Sequence, residues 1–301
     1  MNINQLIKDL EKDIKETNTR SIQIEQTKRL ASIMSIYNGD DENIPFSEVA
    51  KNIKINENEL KMMTGFGKLD SILKGLREQQ IVVMSGFTKH GKTSFAMEMT
   101  RNMENYKPLW FPLEQSASEL ISIMIERNIP VPNLAVTPKT IRTITIDWVE
   151  KKIIEAKVKY DTKIIFIDHI DFLIPFSTDN HALRLAQTMR DLKDMAKRLN
   201  VCIVILCHLV KTKMDTNPTL EDIRGSSSIA QEADTVIFVW RETKKEGKET
   251  IITNNTNISI LANRRHGTTG NIKMVYEKDR YLEKEWVDFA DYEDKKLREL
   301  L

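Results

Sequence analysis

Cysteine is nearly absent from this chain, which has two in 301 residues. Cys202 and Cys207 lie in a single apolar run, and their offset of five would place them on opposite faces of a strand. That arrangement argues against a redox or metal-binding role. We therefore interpret both cysteines as core residues.

Long apolar stretches and an excess of one charge are also missing. Nothing approaches the roughly 18 apolar residues that a membrane span needs, and the polar start, MNINQLIKDLEKD, has no signal-peptide core. We expect a cytoplasmic protein without a membrane anchor. Lys plus Arg number 45 against 44 Asp plus Glu, a net charge of +1, so any nucleic-acid binding must come from a local patch.

The first 63 residues are predicted to form a small helical region. Charged residues separate apolar ones at helical spacing, which indicates an amphipathic helix with the stripe Ile3, Leu6, Ile7, Leu10 and Ile14. Shorter helical patterns continue to residue 63, broken by Asn38–Asp41 and by Pro45. The stripe needs a partner, either its own domain or a neighbouring subunit, and the residues alone favour neither.

Residues 64–285 have a different texture, with short β-branched runs separated by amphipathic helical stretches. This alternation predicts an α/β domain with a mostly parallel sheet. The runs are nearly continuous in apolar residues, as in strands buried on both faces, and span 81–85, 109–113, 164–167, 201–207, 236–240 and 258–262. A last run, 272–276, should form an antiparallel hairpin with its predecessor. Residues 286–301 form a charged tail, interpreted as a solvated terminal helix.

A phosphate-binding motif follows the first run. Residues 86–93 match G-x-x-x-x-G-K-[ST] between a predicted strand and a predicted helix. Backbone amides at the helix start face an anion, Lys92 reaches the outer phosphates, and the Thr93 hydroxyl can ligate Mg²⁺. We predict that ATP and Mg²⁺ bind through Gly86, Phe87, Thr88, Lys89, His90, Gly91, Lys92, Thr93 and Ser94. His90 lies in the variable part of the loop.

Carboxylates end two other predicted strands. Asp168 follows 164–167, where it is placed to hold Mg²⁺ with Thr93. Glu114 follows 109–113 and is a candidate for orienting the attacking water, although position alone equally allows an ordinary surface residue. His169 and Asp171 come directly after Asp168, and the polarity of a strand end is enough to explain both.

A later segment carries a family resemblance. Residues 222–234, DIRGSSSIAQEAD, followed by the run through Trp240 and Arg241, closely resemble the signature of the DnaB-like replicative helicases. Thr64–Leu76 is similar to the entry into the motor domain of that family, and Arg265–Gly270, RHGTTG, looks like its arginine-finger motif. The resemblance implies a RecA-like P-loop NTPase core that assembles as a homo-hexamer, and in such rings a linker helix packs on the adjacent subunit.

The resemblance also implies roles for single residues. Glu114 becomes the catalytic carboxylate, His208 the sensor of the γ-phosphate, and Arg265 a finger that reaches the neighbouring subunit's site, an effect worth roughly 10³ to 10⁵ in rate. Arg241 falls where some members stack on the nucleotide base. Asn263 departs from the family, which usually has Lys there, so either Arg264 supplies the second charge or the contact between subunits is weaker.

Contacts with single-stranded DNA are implied for a loop that lines the central channel. Arg224, Gly225 and Ser227 match that loop, and Lys211 and Lys213 lie just before it. Ser227 stands where Gly is usual, which restricts the backbone. Residues 1–63 are unlike the primase-contacting domain of the family, so the chain resembles the bare motor of a phage or plasmid helicase.

Three functions remain in competition. The leading prediction is an ATP hydrolase that works as a ring-forming DNA helicase, translocates on single-stranded DNA during replication, and meets a helicase loader or other replication proteins. The second is a RecA-like DNA-dependent ATPase that acts as a recombinase or recombination mediator. The third is a nucleotide-gated scaffold with little turnover, against which the presence of Glu114 argues.

Overall fold

The computed structural model divides the chain into two compact units, residues 1–57 and 58–301. The structure describes residues 3–16, 20–34, 43, 45–48, 60–127, 129–141, 144–174, 181–208, 219–223, 229, 231–246 and 249–283. The predicted charged tail, 286–301, lies outside these residues. No helix in these ranges is long and apolar enough to cross a membrane.

Among the described residues of the first unit, two long helices pack against each other, α1 (Ile3–Glu16) and α2 (Arg20–Met34). On the predicted apolar stripe of α1, Leu10 is buried, whereas Leu6, Ile7 and Ile14 are half-buried. The Gln23 side-chain amide of α2 donates a hydrogen bond to the carbonyl of Ile14, 3.5 Å away. The sequence therefore predicts α1 correctly.

The second unit alternates strands and helices along the chain. Its helices are α3 (Gly67–Leu73), α4 (Lys92–Asn102), α5 (Ala117–Glu126), α6 (Ile146–Tyr160) and α7 (His181–Arg198). Its strands are β1 (Ile81–Gly86), β2 (Leu109–Pro112), β3 (Ile164–Asp168), β4 (Cys202–His208), β5 (Thr235–Glu246), β6 (Glu249–Asn263), β7 (Gly270–Glu277) and β8 (Arg280–Glu283).

The eight strands form one sheet in the order β2-β3-β4-β1-β5-β6-β7-β8. The first five are parallel, and β5 through β8 pair as antiparallel neighbours. This confirms the predicted α/β class, the mostly parallel sheet and the hairpin of β6 with β7. The sequence did not predict β8, whose four residues carry charge at both ends.

Hydrophobic cores cover both faces of the sheet, and alternate side chains of β4 face the two cores. Ile203 and Ile205 face one core together with Cys207, whereas Cys202 faces the other. Full burial of an isoleucine side chain such as Ile203 stabilises the folded state by roughly 1.5–3 kcal/mol. Burial raises the pKa of both thiols, which keeps them protonated. The prediction of two core cysteines on opposite faces is confirmed.

The parallel strands bring their carboxyl ends to one edge of the sheet. Gly86 at the end of β1 is paired with His208 at the end of β4, and Pro112 of β2 is paired with Asp168 of β3. Residues that follow these strand ends are distant in sequence but adjacent in space. A ligand site at this edge is the general expectation for open α/β sheets.

Candidate nucleotide-binding site

The phosphate loop connects β1 to α4, and two glycines make its path feasible. At Gly86 an added Cβ would lie 2.1 Å from the carbonyl oxygen of Val239, so only glycine fits beside β5. Gly91 has φ of +91° at the N-cap of α4, a conformation that side-chain-bearing residues rarely adopt. The loop therefore directs the first amides of α4 toward the cavity.

Lys92 is held beneath this loop in a buried position. Its Nζ donates to the carbonyl of Cys207 at 3.0 Å and lies 3.2 Å from Nδ1 of His208. Burial lowers the pKa of Lys92, partly offset by nearby groups that include Asp168 and Glu114. The ammonium is thus placed among acceptors near the loop, where an incoming phosphate would compete for it.

A cavity of about 400 Å³ opens above the loop. Of the residues predicted to hold nucleotide, the lining includes Phe87, Thr88, Lys89, Gly91, Lys92, Thr93, Ser94 and Arg241, joined by Glu114, Arg127, His208, Tyr276 and Tyr281. His90 is buried instead, with Nδ1 at hydrogen-bond distance from both the carbonyl oxygen of Arg241, at 3.0 Å, and its backbone nitrogen, at 3.2 Å. Its ring packs against Phe87, so His90 holds the loop to β5.

Asp168 and Thr93 form an arrangement that suits Mg²⁺. The Thr93 hydroxyl donates to Oδ2 of Asp168 at 3.0 Å, and the carboxylate is 1% exposed. Its Oδ1 has no hydrogen-bond partner among the described residues. Burial is the main cause that raises the pKa of Asp168 to about 6. A buried carboxylate with an unsatisfied oxygen beside a hydroxyl fits a hard cation with oxygen ligands.

Glu114 lies on the bend after β2 and faces two histidines. Its Oε2 is 3.9 Å from Nε2 of His169 and 3.9 Å from Nε2 of His208. The backbone N–H of Glu114 donates to the carbonyl of Asp168 at 2.9 Å, which fixes the bend against β3. Burial and the neighbouring His208 lower the pKa of His169 to about 4, so its imidazole is neutral at physiological pH.

The antiparallel end of the sheet supplies the far wall of the cavity. The guanidinium carbon of Arg241 lies 5.1 Å from the ring centroid of Tyr276, a cation–π contact. The Tyr281 hydroxyl donates to the carbonyl of Gly91 at 2.9 Å and joins β8 to the phosphate loop. Sequence reasoning missed Arg127, Tyr276 and Tyr281. The two tyrosines reach the site through β7 and β8, and no local motif indicates that pairing.

Arg265 lies at the opposite edge of the sheet from the phosphate loop. It belongs to the turn after β6, where Asn263 pairs with Thr235, which in turn pairs with Val82 near the start of β1. Val82 is four residues before Gly86, or about 13 Å along a strand. Arg265 therefore lies far from the phosphate loop of its own chain.

Two neighbours of Arg265 explain the departure from the family pattern. The Asn263 side-chain amide donates to the Thr268 hydroxyl at 2.9 Å and to the carbonyl of Ile72, so this residue points inward and braces the turn. Arg264 donates to the carbonyl of Gln231. Asn263 is thus a structural residue here, and Arg264 is engaged within its own chain.

The residues predicted to bind DNA, Lys211, Lys213, Arg224, Gly225 and Ser227, lie outside the described residues. Two flanking elements are described, the strand end at His208 and the short 3-10 helix Leu220–Asp222. The structure therefore places the ends of this part of the chain and leaves those five assignments as predictions.

A phosphate loop after a strand of a mostly parallel sheet, with a buried carboxylate ending a nearby strand, defines a P-loop NTPase fold. Within that class the chain belongs to the DnaB-like helicase family, because the DnaB-like helicase C terminal domain matches residues 61–149 and 133–283. The match includes the phosphate loop, Glu114, Asp168 and the turn that carries Arg265. The predicted family is confirmed.

Individual proteins agree with this assignment. The replicative DNA helicase DnaB of Rickettsia bellii (strain RML369-C) is 24% identical over 299 residues, which cover 78% of this chain and 60% of that protein. The replicative DNA helicase DnaC of Bacillus subtilis (strain 168) is 27% identical over 249 residues, covering 72% of this chain and 54% of that protein. The chain thus spans between half and two thirds of the length of these relatives.

Solved structures show the same fold. A structure described as an ATPase domain is similar with a TM-score of 0.67 at 22% identity, covering 80% of this chain and 97% of that domain. A DnaB-like replicative helicase, whose structure was described with its interactions with primase, has the same TM-score and identity and covers 94% of this chain and 77% of that one. The predicted α/β architecture with a mostly parallel sheet is confirmed at the level of the fold.

Proposed function

We propose that this chain is the ATP-driven motor of a ring-forming DNA helicase that translocates on single-stranded DNA during replication. The observation that carries the proposal is the convergence of Lys92, Thr93, Asp168 and Glu114 at one edge of the sheet while Arg265 lies at the other. The first four can bind and hydrolyse ATP, and the distant arginine fits a role at a neighbouring subunit. Family membership supports both parts.

The proposed chemistry follows from the positions of the side chains. Loop amides and Lys92 bind the phosphates of ATP, with Lys92 exchanging the carbonyl of Cys207 for phosphate oxygens. Thr93 and Asp168 would hold Mg²⁺, which neutralises phosphate charge when bound. Glu114 orients the attacking water, and His208, already beside Lys92, senses the γ-phosphate.

Arg265 is proposed to complete the site of the adjacent subunit. It lines a groove of about 520 Å³ together with Arg77, Lys193, Lys197 and Arg264. Glu78 and Asp234 line the groove as well, and Asp234 pairs with Lys193, so the five cationic side chains still outnumber the two carboxylates. A cationic groove at the edge opposite the phosphate loop suits contact with another copy's nucleotide, and head-to-tail contacts of this kind generate rings.

The proposal assigns DNA binding to Lys211, Lys213, Arg224, Gly225 and Ser227, on the strength of the family resemblance and of the charge in that segment. We further propose that residues 64–285 form the motor, 1–63 a helical linker and 286–301 a tail. Helicase loaders or other replication proteins are the expected partners besides single-stranded DNA.

Fork unwinding by the purified chain with ATP and Mg²⁺ tests the helicase proposal. We expect strand displacement that requires hydrolysable ATP, and Lys92→Ala should remove it because the phosphates lose their buried cation. ATP turnover stimulated by single-stranded DNA without strand displacement would indicate a recombinase or recombination mediator. ATP binding with negligible turnover would indicate a scaffold and contradict the role of Glu114.

A further inference from the structure

His169 follows the proposed Mg²⁺ ligand Asp168 and is buried. Its side chain is 8% exposed. The ring lies edge-on to His208, with centroids 4.2 Å apart, and packs against Phe172 at 4.9 Å. The proposed ATPase chemistry described above uses Asp168, Glu114 and His208 but gives this buried imidazole no task.

Hydrogen bonds define which nitrogen of each imidazole carries the proton. The backbone N–H of Asp171 donates to Nδ1 of His169 at 3.3 Å, whereas the Asp171 carboxylate lies 3.6 Å from that nitrogen, beyond a hydrogen bond, so we assign the proton to Nε2 of His169. Lys92 can only donate as an ammonium, which makes Nδ1 of His208 an acceptor as well. Both Nε2–H groups face Oε2 of Glu114, at 3.9 Å each. The two rings are therefore donors toward the carboxylate and not a pair of metal ligands, although the three side chains lie close enough to surround an ion.

Glu114 needs such donors because its side chain is otherwise free to turn. The carboxylate is 46% exposed, and the hydrogen bonds that tie this bend to β3 among the described residues come from the backbone. A separation of 3.9 Å exceeds a hydrogen bond, but catalytic hydrogen bonds are often long without substrate and shorten when it binds. A small rotation of the Glu114 side chain would bring the carboxylate to either histidine.

The two donors differ in how they depend on nucleotide. His208 contacts Lys92, so a γ-phosphate that draws Lys92 away also changes the surroundings of His208. His169 also touches the His208 ring, but its Nδ1 is held by the backbone of Asp171 and its other ring contact is with Phe172, and neither of these two residues lines the nucleotide cavity. We therefore expect its Nε2–H to remain near Glu114 when ATP binds.

We propose that His169 is a positioning residue for Glu114, holding the carboxylate by its Nε2–H in the orientation that activates the attacking water. The proposal rests on the proposed ATPase function and adds a residue to it. His169 is not among the residues that line the nucleotide cavity, so it acts through Glu114. A misplaced general base can cost on the order of 100-fold in rate, so loss of the donor should lower kcat by about 10- to 100-fold.

A pair of variants of similar volume separates the donor from the packing. His169→Gln keeps a side-chain N–H, whereas His169→Leu fills the space without one. We expect His169→Leu to lower the kcat for ATP with single-stranded DNA by about 10- to 100-fold while KM for ATP stays within about twofold, and His169→Gln to retain much of the wild-type kcat. His181→Ala is the matched control, since His181 also approaches Asp171 but not Glu114.

A double-mutant cycle with Glu114→Gln completes the test. If His169 acts through Glu114, adding His169→Leu to Glu114→Gln should leave the residual single-turnover rate unchanged. A wild-type kcat for His169→Leu, or the same fold loss in both backgrounds, would overturn the positioning role. An inactive wild-type protein would contradict the proposed ATPase itself, whereas an active wild type with an unaffected His169→Leu contradicts only the role of His169.

Discussion

Replacement of Asp168 by Asn should stabilise the nucleotide-free fold at neutral pH even though it removes a ligand from the proposed Mg²⁺ site. Burial raises the pKa of this carboxyl from 3.8 to about 6. A pKa difference of this size corresponds to roughly 3 kcal/mol between the two protonation states. The pKa of this carboxyl is higher in the folded state than in the unfolded state. The stability that Asp168 contributes is therefore fully present at pH values below the unfolded pKa, where the carboxyl is protonated in both states, and it is lost as the pH rises through about 6. Asn cannot ionise and avoids the loss.

Urea unfolding of both proteins at pH 5 and pH 8, without nucleotide or Mg²⁺, measures this effect. Linkage predicts that the variant's advantage in unfolding free energy grows by about 1.4 kcal/mol between the two pH values. Its absolute size at pH 8 should fall below about 3 kcal/mol, since the new amide nitrogen replaces an oxygen without a partner. Asp194→Asn, at a carboxylate that is 69% exposed, is the control without a desolvated charge. An advantage that stays constant or shrinks from pH 5 to pH 8 would refute the reasoning.

Three further predictions concern the site and the assembly. Glu114→Gln should bind ATP with near-normal affinity but turn it over poorly, because the side chain acts on water; loss of binding, measured by nucleotide titration, would make it a structural residue. Gly86→Ala should cost about 1–3 kcal/mol of stability in urea unfolding and weaken ATP binding, because its Cβ would collide with the Val239 carbonyl; wild-type values would be inconsistent with the loop path. Deleting residues 1–16 should lower the oligomer mass in light scattering without unfolding the monomer; an unchanged oligomer that melts earlier would mean that the apolar stripe docks within its own chain.

Local signals were enough to predict much of this molecule. The runs at 81–85, 164–167 and 201–207 are apolar apart from Ser85, as expected of strands covered on both faces, and each forms part of the parallel sheet. The glycines of the loop 86–93 set its backbone geometry. A match to the sequence motif therefore also predicted the conformation of the loop. The carboxyl ends of parallel strands meet at one edge, which is why Asp168 and Glu114 could be placed beside the loop.

Features that depend on pairing between distant segments were not predictable in the same way. Tyr281 reaches the loop because β8 folds back on β7, although the four residues of β8 give little strand signal. The contact of His169 with Glu114 joins positions 55 residues apart, and nothing near either residue indicates it. The Asn263 side chain points inward because it hydrogen-bonds to Thr268 and Ile72. The sequence therefore shows that this position departs from the family, but it does not indicate the structural role.

The central claim, a catalytic site shared between adjacent subunits of an ATP-driven motor, is tested most directly by mixing two inactive variants. Arg265→Ala subunits keep Lys92 and Glu114, and Lys92→Ala subunits keep Arg265, so some interfaces in a mixed ring contain every required group. After subunit exchange is verified, ATP turnover should rise to a maximum at intermediate mixing ratios. Turnover that stays at the level of the two pure variants at every ratio would contradict the claim.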